Sequence, residues 1–345
     1  MPRQSALLIG LLVSALFVSS GDAQSIQSTP LVGFLSVSPQ SYQIQFFNGL
    51  CDLGFIEGRS IVVDRQFAGT DAALSERAQV LVASQVDVIV ATSSSATAAA
   101  MRATTDVPIP IVMVTSGDPI NSGFIDSFRR PGGHVTGLTS MVPELSIKML
   151  EMLIEVTRDD TELRLAILYN PANDSANRAA PLLAARIDEI NAAGRVRIEY
   201  RTLATRVLPD IVTSLDAAAE FGADTLLVVV DPLLIRERKL LVDWANAAGV
   251  TAIYPLPEFV QDGGLMSYGA VYGELYYRAA QFVDQLLDGR PAGDMPVQTP
   301  NTYDRWFNRA TAERLGKASV FRQFPDAYVW PDDRARLEFP STCPN

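Results

Sequence analysis

Residues 86–101 read VDVIVATSSSATAAAM. Val86–Ala91 is a short apolar run with β-branched residues, the composition of a buried strand. Thr92, Ser93, Ser94 and Ser95 follow at once, and Ala96–Met101 reads as helix. A strand that breaks into hydroxyls where a helix starts leaves backbone N–H groups unpaired at the positive end of the helix dipole. Such a turn suits a carboxylate or another small anion. The same hydroxyls cap helices, so capping and ligand contact are both open at Thr92–Ser95.

The pattern recurs in both directions along the chain. Leu31–Ser36 is an apolar strand ending in Ser36 and Ser38, and Ile111–Val114 runs into Thr115 and Asp118-Pro119. Further on, Leu163–Tyr169 ends at Asn170-Pro171, Thr225–Val230 ends at Asp231-Pro232, and Thr251–Tyr254 is followed by Glu258. Helical spacing fills the intervals at Tyr42–Leu53, Asp71–Ser84, Ser175–Ala193, Leu208–Phe221 and Leu234–Ala248. Phe124–Phe128 reads as a short helix, Leu265–Tyr268 as a strand and Pro296–Gln298 as another short strand. Each half of the chain repeats the same order of strands and helices.

That order predicts an α/β fold of two Rossmann-like lobes with parallel sheets. Right-handed crossovers put the strand C-termini of each sheet on one edge, where open α/β sheets bind ligands. The polar clusters therefore face one cleft. Thr92–Ser95 are candidate carboxylate partners, with Ser36, Ser38 and Thr115 beside them. Asp231, Asp118 and Glu258 are candidates for a cationic group, while Asp231-Pro232 and Asp118-Pro119 also read as turn openings. Tyr42, Tyr254 and Tyr268 are candidate aromatic contacts, and Asn170 is a turn residue within reach of the ligand.

The chain has 345 residues, a net charge of −11 and one histidine, His134. Strong acidity disfavours nucleic acid and anionic membrane surfaces as partners. One histidine rules out a His-based metal cluster within the chain, and His134 reads as part of an exposed Gly turn. No P-loop, G-x-G-x-x-G or G-x-S-x-G motif is present, so no cofactor is expected and an exported α/β enzyme is disfavoured. Arg3, the apolar stretch Ala6–Val18 and Gly21-Asp22-Ala23 read as an export signal cleaved after Ala23. No later stretch is long enough to span a bilayer, so the expected product is soluble, monomeric and periplasmic. Cys51 lies on a helical pattern and Cys343 in an irregular tail; an oxidising compartment permits a disulfide if the tail folds back, and the preferred reading is two unpaired thiols.

Eight segments, in order, resemble one family: LVGFLS (31–36), FNGLCDLGFIEG (47–58), VDVIVATSSSA (86–96), IPIVMVTSGDPINSGF (109–124), RPGGHVTGLTS (130–140), LAILYNP (165–171), DTLLVVVDP (224–232) and EFVQDGGLMSYG (258–269). Together they are similar to the ABC transporter substrate-binding proteins of the tryptophan/tyrosine type. The resemblance covers roughly residues 30–316 and implies the type I periplasmic binding protein fold, its lobes joined by three chain crossings. On this chain the crossings fall near Thr139–Pro143, Tyr254–Pro257 and Gln298–Asn301. Lobe 1 then holds residues 30–140 and 257–299, lobe 2 holds 141–256 and 300–316, and 317–345 form an irregular tail that departs from the family pattern. The resemblance implies capture of an amino acid or related carboxylate by hinge closure, and delivery to an ABC permease in the membrane. A periplasmic ligand sensor would use the same cleft.

Overall fold

The first lobe is built on β1 (Leu31–Ser36), α1 (Ile44–Asp52), β2 (Val62–Phe67), α2 (Leu74–Ala83), β3 (Val88–Ala91), α3 (Ser94–Ala103), β4 (Ile111–Ser116) and β5 (Val135–Thr139). This is a computed structural model that describes residues 29–338 and Cys343. The expected leader at 1–23 lies outside the described residues. The five strands form one parallel sheet in the order β2-β1-β3-β4-β5. β3 and β4 are buried along their whole length, which is why they read as unbroken apolar runs rather than alternating ones.

The second lobe starts with α4 (Val142–Val156), β6 (Glu162–Tyr169), α5 (Asp174–Ala193), β7 (Arg197–Ala204), α6 (Leu208–Phe221) and β8 (Thr225–Val228). It continues through α7 (Pro232–Arg236), α8 (Arg238–Ala248), β9 (Thr251–Tyr254), α9 (Pro257–Gln261) and β10 (Met266–Ala270). The chain then returns to lobe 1 as α10 (Tyr272–Leu287), which packs on α1, β4 and β5. It ends in lobe 2 with β11 (Tyr303–Asn308), α11 (Arg309–Arg314), α12 (Val320–Gln323) and β12 (Tyr328–Trp330). These strands form a seven-stranded sheet in the order β12-β11-β10-β9-β8-β6-β7, with β11 antiparallel to β10. Among the described residues no helix is long and apolar enough to cross a membrane.

Strand pairing corrects the second expected crossing. β10 pairs with β9 through Met266–Ile253 and with β11 through Ser267–Trp306, so Pro257–Ala270 stay in lobe 2. The sheets part at Val271 rather than at Tyr254–Pro257. Tyr254, Leu256 and Phe259 are buried, and leaving the lobe there would expose them. The tail is also corrected in its described part. β12 adds to the sheet edge against β11, and Val320 is fully buried beside Phe307. Cys51 and Cys343 form a disulfide with Cα atoms 5.7 Å apart, not two free thiols. Sequence offers no handle on such a pairing, because it depends on where the tail returns.

Two shorter elements also differ. Phe124–Phe128 is a turn, with Phe124 N–H donating to Pro119 O and Asp126 N–H to Pro131 O, so no helical ladder forms. Pro296–Gln298 contributes only an isolated bridge from Gln298 to Leu138. That bridge lies at the third crossing and holds Gln298 against β5.

The packing of α10 on α1 depends on the absence of a side chain at Gly49. A Cβ there would lie 2.5 Å from the Tyr277 carbonyl oxygen and 2.9 Å from Ala280 Cβ. Gly49→Ala is expected to destabilise the fold by about 1–3 kcal/mol through overpacking, measured by chemical denaturation.

Candidate functional site

Strand ends from both sheets meet in one closed cleft. From lobe 1, Ser93 is the N-cap of α3, its hydroxyl accepting the Ala96 N–H at 3.1 Å. Ser94 Oγ accepts the Gly117 N–H at 3.0 Å and lies 3.3 Å from Ser175 Oγ of lobe 2. Thr115 has φ +59°, an unfavourable region for a β-branched residue. It is held there by Thr115 Oγ1 donating to Thr92 O and by Ser140 Oγ donating to Thr115 O, each at 3.0 Å. Strain maintained in this way at a strand end is a mark of a functional constraint. Ser36 Oγ accepts from Gln43 Nε2 at 3.1 Å, and Gln40 Nε2 donates to Ser38 Oγ at 3.1 Å, so a buried amide network fixes the loop after β1.

From lobe 2 comes one charged group, Asp231, which is 1 % exposed. Its Oδ1 accepts the Leu233 N–H at 2.9 Å, as N-cap of α7, and its Oδ2 accepts from Asn173 Nδ2 at 3.0 Å. Asn170 adds a further side-chain hydrogen bond. All of these partners are neutral. Burial, with the Asp71 carboxylate as a second cause, pushes the Asp231 carboxyl up to about 6, against the hydrogen bonds that favour its charge. Asn173 also receives the Ser175 hydroxyl at 2.8 Å, which links Asp231 to the Ser94–Ser175 contact between the lobes.

The third wall is aromatic. The Tyr42 ring lies 5.5 Å from Tyr272 and 5.3 Å from Tyr276, centroid to centroid. Burial pushes the Tyr272 phenol up to about 12, and the Tyr42 and Tyr276 phenols rise for the same first reason, so all three keep their protons at neutral pH. The Tyr276 hydroxyl meets the side chains of Thr92, Gln43 and Thr115, and the Tyr272 hydroxyl meets Ser140. Val37, Val142, Val230 and Ile235 complete the lining. The empty space among these residues, including the part open to solvent, is about 520 Å³.

Of the residues expected from sequence, Ser36, Ser38, Tyr42, Thr92, Ser93, Ser94, Thr115 and Asp231 line this cavity together. Six others do not. Ser95 lies past the helix start and bonds Asp71 instead. Asp118 accepts from Asn121 Nδ2 and pairs with Arg178 at 3.5 Å, as part of a latch between the lobes. Asn170 is buried behind Asp231, as a support. Tyr254 is core, stacked on Phe259 at 4.8 Å, and Tyr268 stacks on Tyr303 along the β10–β11 pair. Glu258 lies in a second chamber behind Tyr42 and Tyr272. Glu258 and Tyr268 belong to elements that follow the misplaced crossing, and Tyr254 ends the strand just before it. His134 is half-buried, with Nε2 2.9 Å from Thr104 Oγ1, and lines none of the cavity.

Sequence reasoning missed Gln40, Gln43, Asn173, Ser175, Tyr272 and Tyr276. Tyr272 and Tyr276 stand at i, i+4 and so share a face of α10, a legible aromatic pair next to a crossing. Asn173 and Ser175 sit at a helix start of the same kind as Thr92–Ser95.

Two lobes of this geometry, closing on an enclosed polar and aromatic cavity, define a periplasmic-type binding protein. The chain matches the family model "ABC transporter substrate binding protein" over residues 40–318, and it belongs to that family. It is 26% identical to a "Tyrosine-binding protein" of Clostridioides difficile strain R20291 over 273 residues, 78% of this chain and 75% of that one. Among solved structures it is similar to a conserved domain protein of Vibrio cholerae (TM-score 0.75, 23% identity, covering 84% of this chain and 95% of the other). It is also similar to an ABC domain from Streptococcus pneumonia solved with L-Trp (TM-score 0.73, 21% identity, 84% and 95% covered).

A carboxyl raised by burial binds protons more tightly in the closed form than in water, so closure loses favour as pH rises from about 4 through 6. At neutral pH the ionised group therefore opposes ligand-free closure. Small-angle scattering of the ligand-free protein is expected to show a more compact particle at pH 5 than at pH 7.5, and Asp231→Asn should remove that difference.

Proposed function

We propose that the chain captures a zwitterionic small molecule, an amino acid or a closely related carboxylate, between its lobes. The observation that carries this is Asp231, a buried carboxylate whose partners are all neutral and which shares one cavity with the start of α3. A ligand ammonium on Asp231 would supply the missing countercharge. The ligand carboxylate would take the N–H groups of the first turn of α3 with the hydroxyls of Thr92 and Ser93. The tyrosine wall then receives an apolar or aromatic side chain. The C. difficile relative named for tyrosine and the neighbour solved with L-Trp support this reading.

In this reading the protein is an exported, monomeric carrier with no resident cofactor, and its closed form delivers the ligand to an ABC permease. Binding is its whole chemistry. The cavity offers hydroxyls, phenols and the Asp231 carboxylate, while the one histidine is bonded to Thr104 and lines none of it.

Isothermal titration across the twenty amino acids, their deaminated acids and their decarboxylated amines tests the reading. At least one zwitterion should bind, and both truncated forms should bind weaker by 30-fold or more. Asp231→Ala should weaken the zwitterion by a similar factor, since breaking a buried charge pair costs about 2–5 kcal/mol. Binding of neutral sugars alone, unaffected by Asp231→Ala, would overturn it.

A further inference from the structure

The C-terminal segment is fastened to both lobes. On lobe 2, β12 pairs with β11, the Asp333 carboxylate accepts the Val329 N–H at 2.7 Å, and Arg305 pairs with Asp326 at 3.2 Å. The Arg336 guanidinium lies 4.0 Å above the Tyr328 ring. On lobe 1, Cys343 is bonded to Cys51 in the last turn of α1. That turn is held in turn by the Tyr277 hydroxyl, which donates to Asp52 at 2.7 Å. Between the two attachments, Arg336 and Leu337 line the chamber behind Tyr42 and Tyr272, together with Glu258. Arg336 and Leu337 thus lie against the back of the tyrosine wall and beside the crossing at Val271.

We propose that the Cys51–Cys343 disulfide is a fourth, redox-sensitive connection between the lobes, which limits how far the cleft opens and so sets how tightly it holds its ligand. The three backbone crossings are permanent, whereas this one depends on a bond that thiols can exchange. Glu338, the last residue of the segment that continues unbroken from lobe 2, is five positions from Cys343. That length of chain reaches at most about 18 Å. While the bond is intact, open arrangements that carry α1 further than this from Glu338 are forbidden. Removing open states raises the fraction of molecules near the binding-competent form, and apparent affinity rises with that fraction.

Both cysteines are partly exposed, so a dithiol can reach them. Its thiolate attacks one sulfur to give a mixed disulfide, and its second thiolate then displaces the protein sulfur. Two electrons pass to the protein pair, which becomes two thiols, and the dithiol becomes a disulfide.

The proposal rests on the cleft reading for its effect on ligand but not for its effect on shape. Scattering of the ligand-free chain is compared before and after dithiothreitol, with thiol content checked by mass, and in Cys343→Ser and Cys51→Ala. L-tyrosine is titrated against each form. The reduced protein and both variants should be more expanded without ligand and should bind L-tyrosine roughly 3- to 10-fold more weakly, mainly through faster release. Neither variant should respond to dithiothreitol. If verified reduction of the folded wild type leaves both dimensions and affinity unchanged, the strap has no such role. If L-tyrosine binds no form, that counts against the amino-acid reading, while the scattering comparison still decides the strap.

Discussion

A carboxylate taken out of water without a countercharge sets the terms for this molecule. Asp231 has lost its solvent and faces the Asp71 carboxylate; both push its carboxyl up to about 6, and its three neutral hydrogen-bond partners offset only part of that rise. The chain could relieve this by opening, and its construction allows that. Each lobe carries its own sheet, one apolar cluster runs through both lobes, and polar contacts join them across the cleft. The Ser94–Ser175 contact, the Arg178 bond to Asn121 O at 2.5 Å and the Arg236 bond to Gly69 O at 2.7 Å are all hydrogen bonds that water can replace. The closed state is therefore a balance in which one desolvated charge weighs as much as several surface contacts. A cation delivered at the right place changes that balance more than any number of neutral contacts.

The hinge has the opposite character. Thr139 N–H donates to Gln298 O, Val271 N–H donates to Thr302 O, and the Tyr272 hydroxyl meets Ser140, so the three crossings are bonded to each other in one narrow band. Tyr272 begins a helix one residue after its crossing, and Tyr276 follows a turn later. The aromatic wall of the cavity therefore stands on the hinge itself. Side chains that touch a ligand and the backbone that turns during closure are in the same covalent stretch, which gives ligand contact a short mechanical path to lobe movement.

Much of the fold was legible because its signals are local. Buried parallel strands are unbroken apolar runs, and TLLVVV and VDVIVA could hardly be anything else. The strand-end polar residues were legible for the same reason, since parallel topology gathers them on one edge without further information. What escaped was whatever depends on a long-range partner. Tyr254 ends a strand as Asp231 nearly does, yet Phe259 stacks on it and takes it into the core. The crossing at Val271 is decided by β10 finding β9 and β11, a pairing that no window of sequence contains. The disulfide depends on a tail returning across the molecule. Tyr272 and Tyr276 carried a readable i, i+4 spacing, but an amphipathic helix with buried aromatics gives the same pattern when it merely packs.

The short strand at the C-terminus has a consequence for life at high concentration. Without it, β11 would present a free row of N–H and C=O groups at one end of a seven-stranded sheet, a template for strand addition by a neighbour. Tyr328–Trp330 occupies that row with three residues and stops. The other end of the sheet, β7, is guarded differently, by exposed Arg197, Glu199 and Arg201. One edge ends in a three-residue strand and the other carries charges, two devices that disfavour strand addition by another copy of the protein.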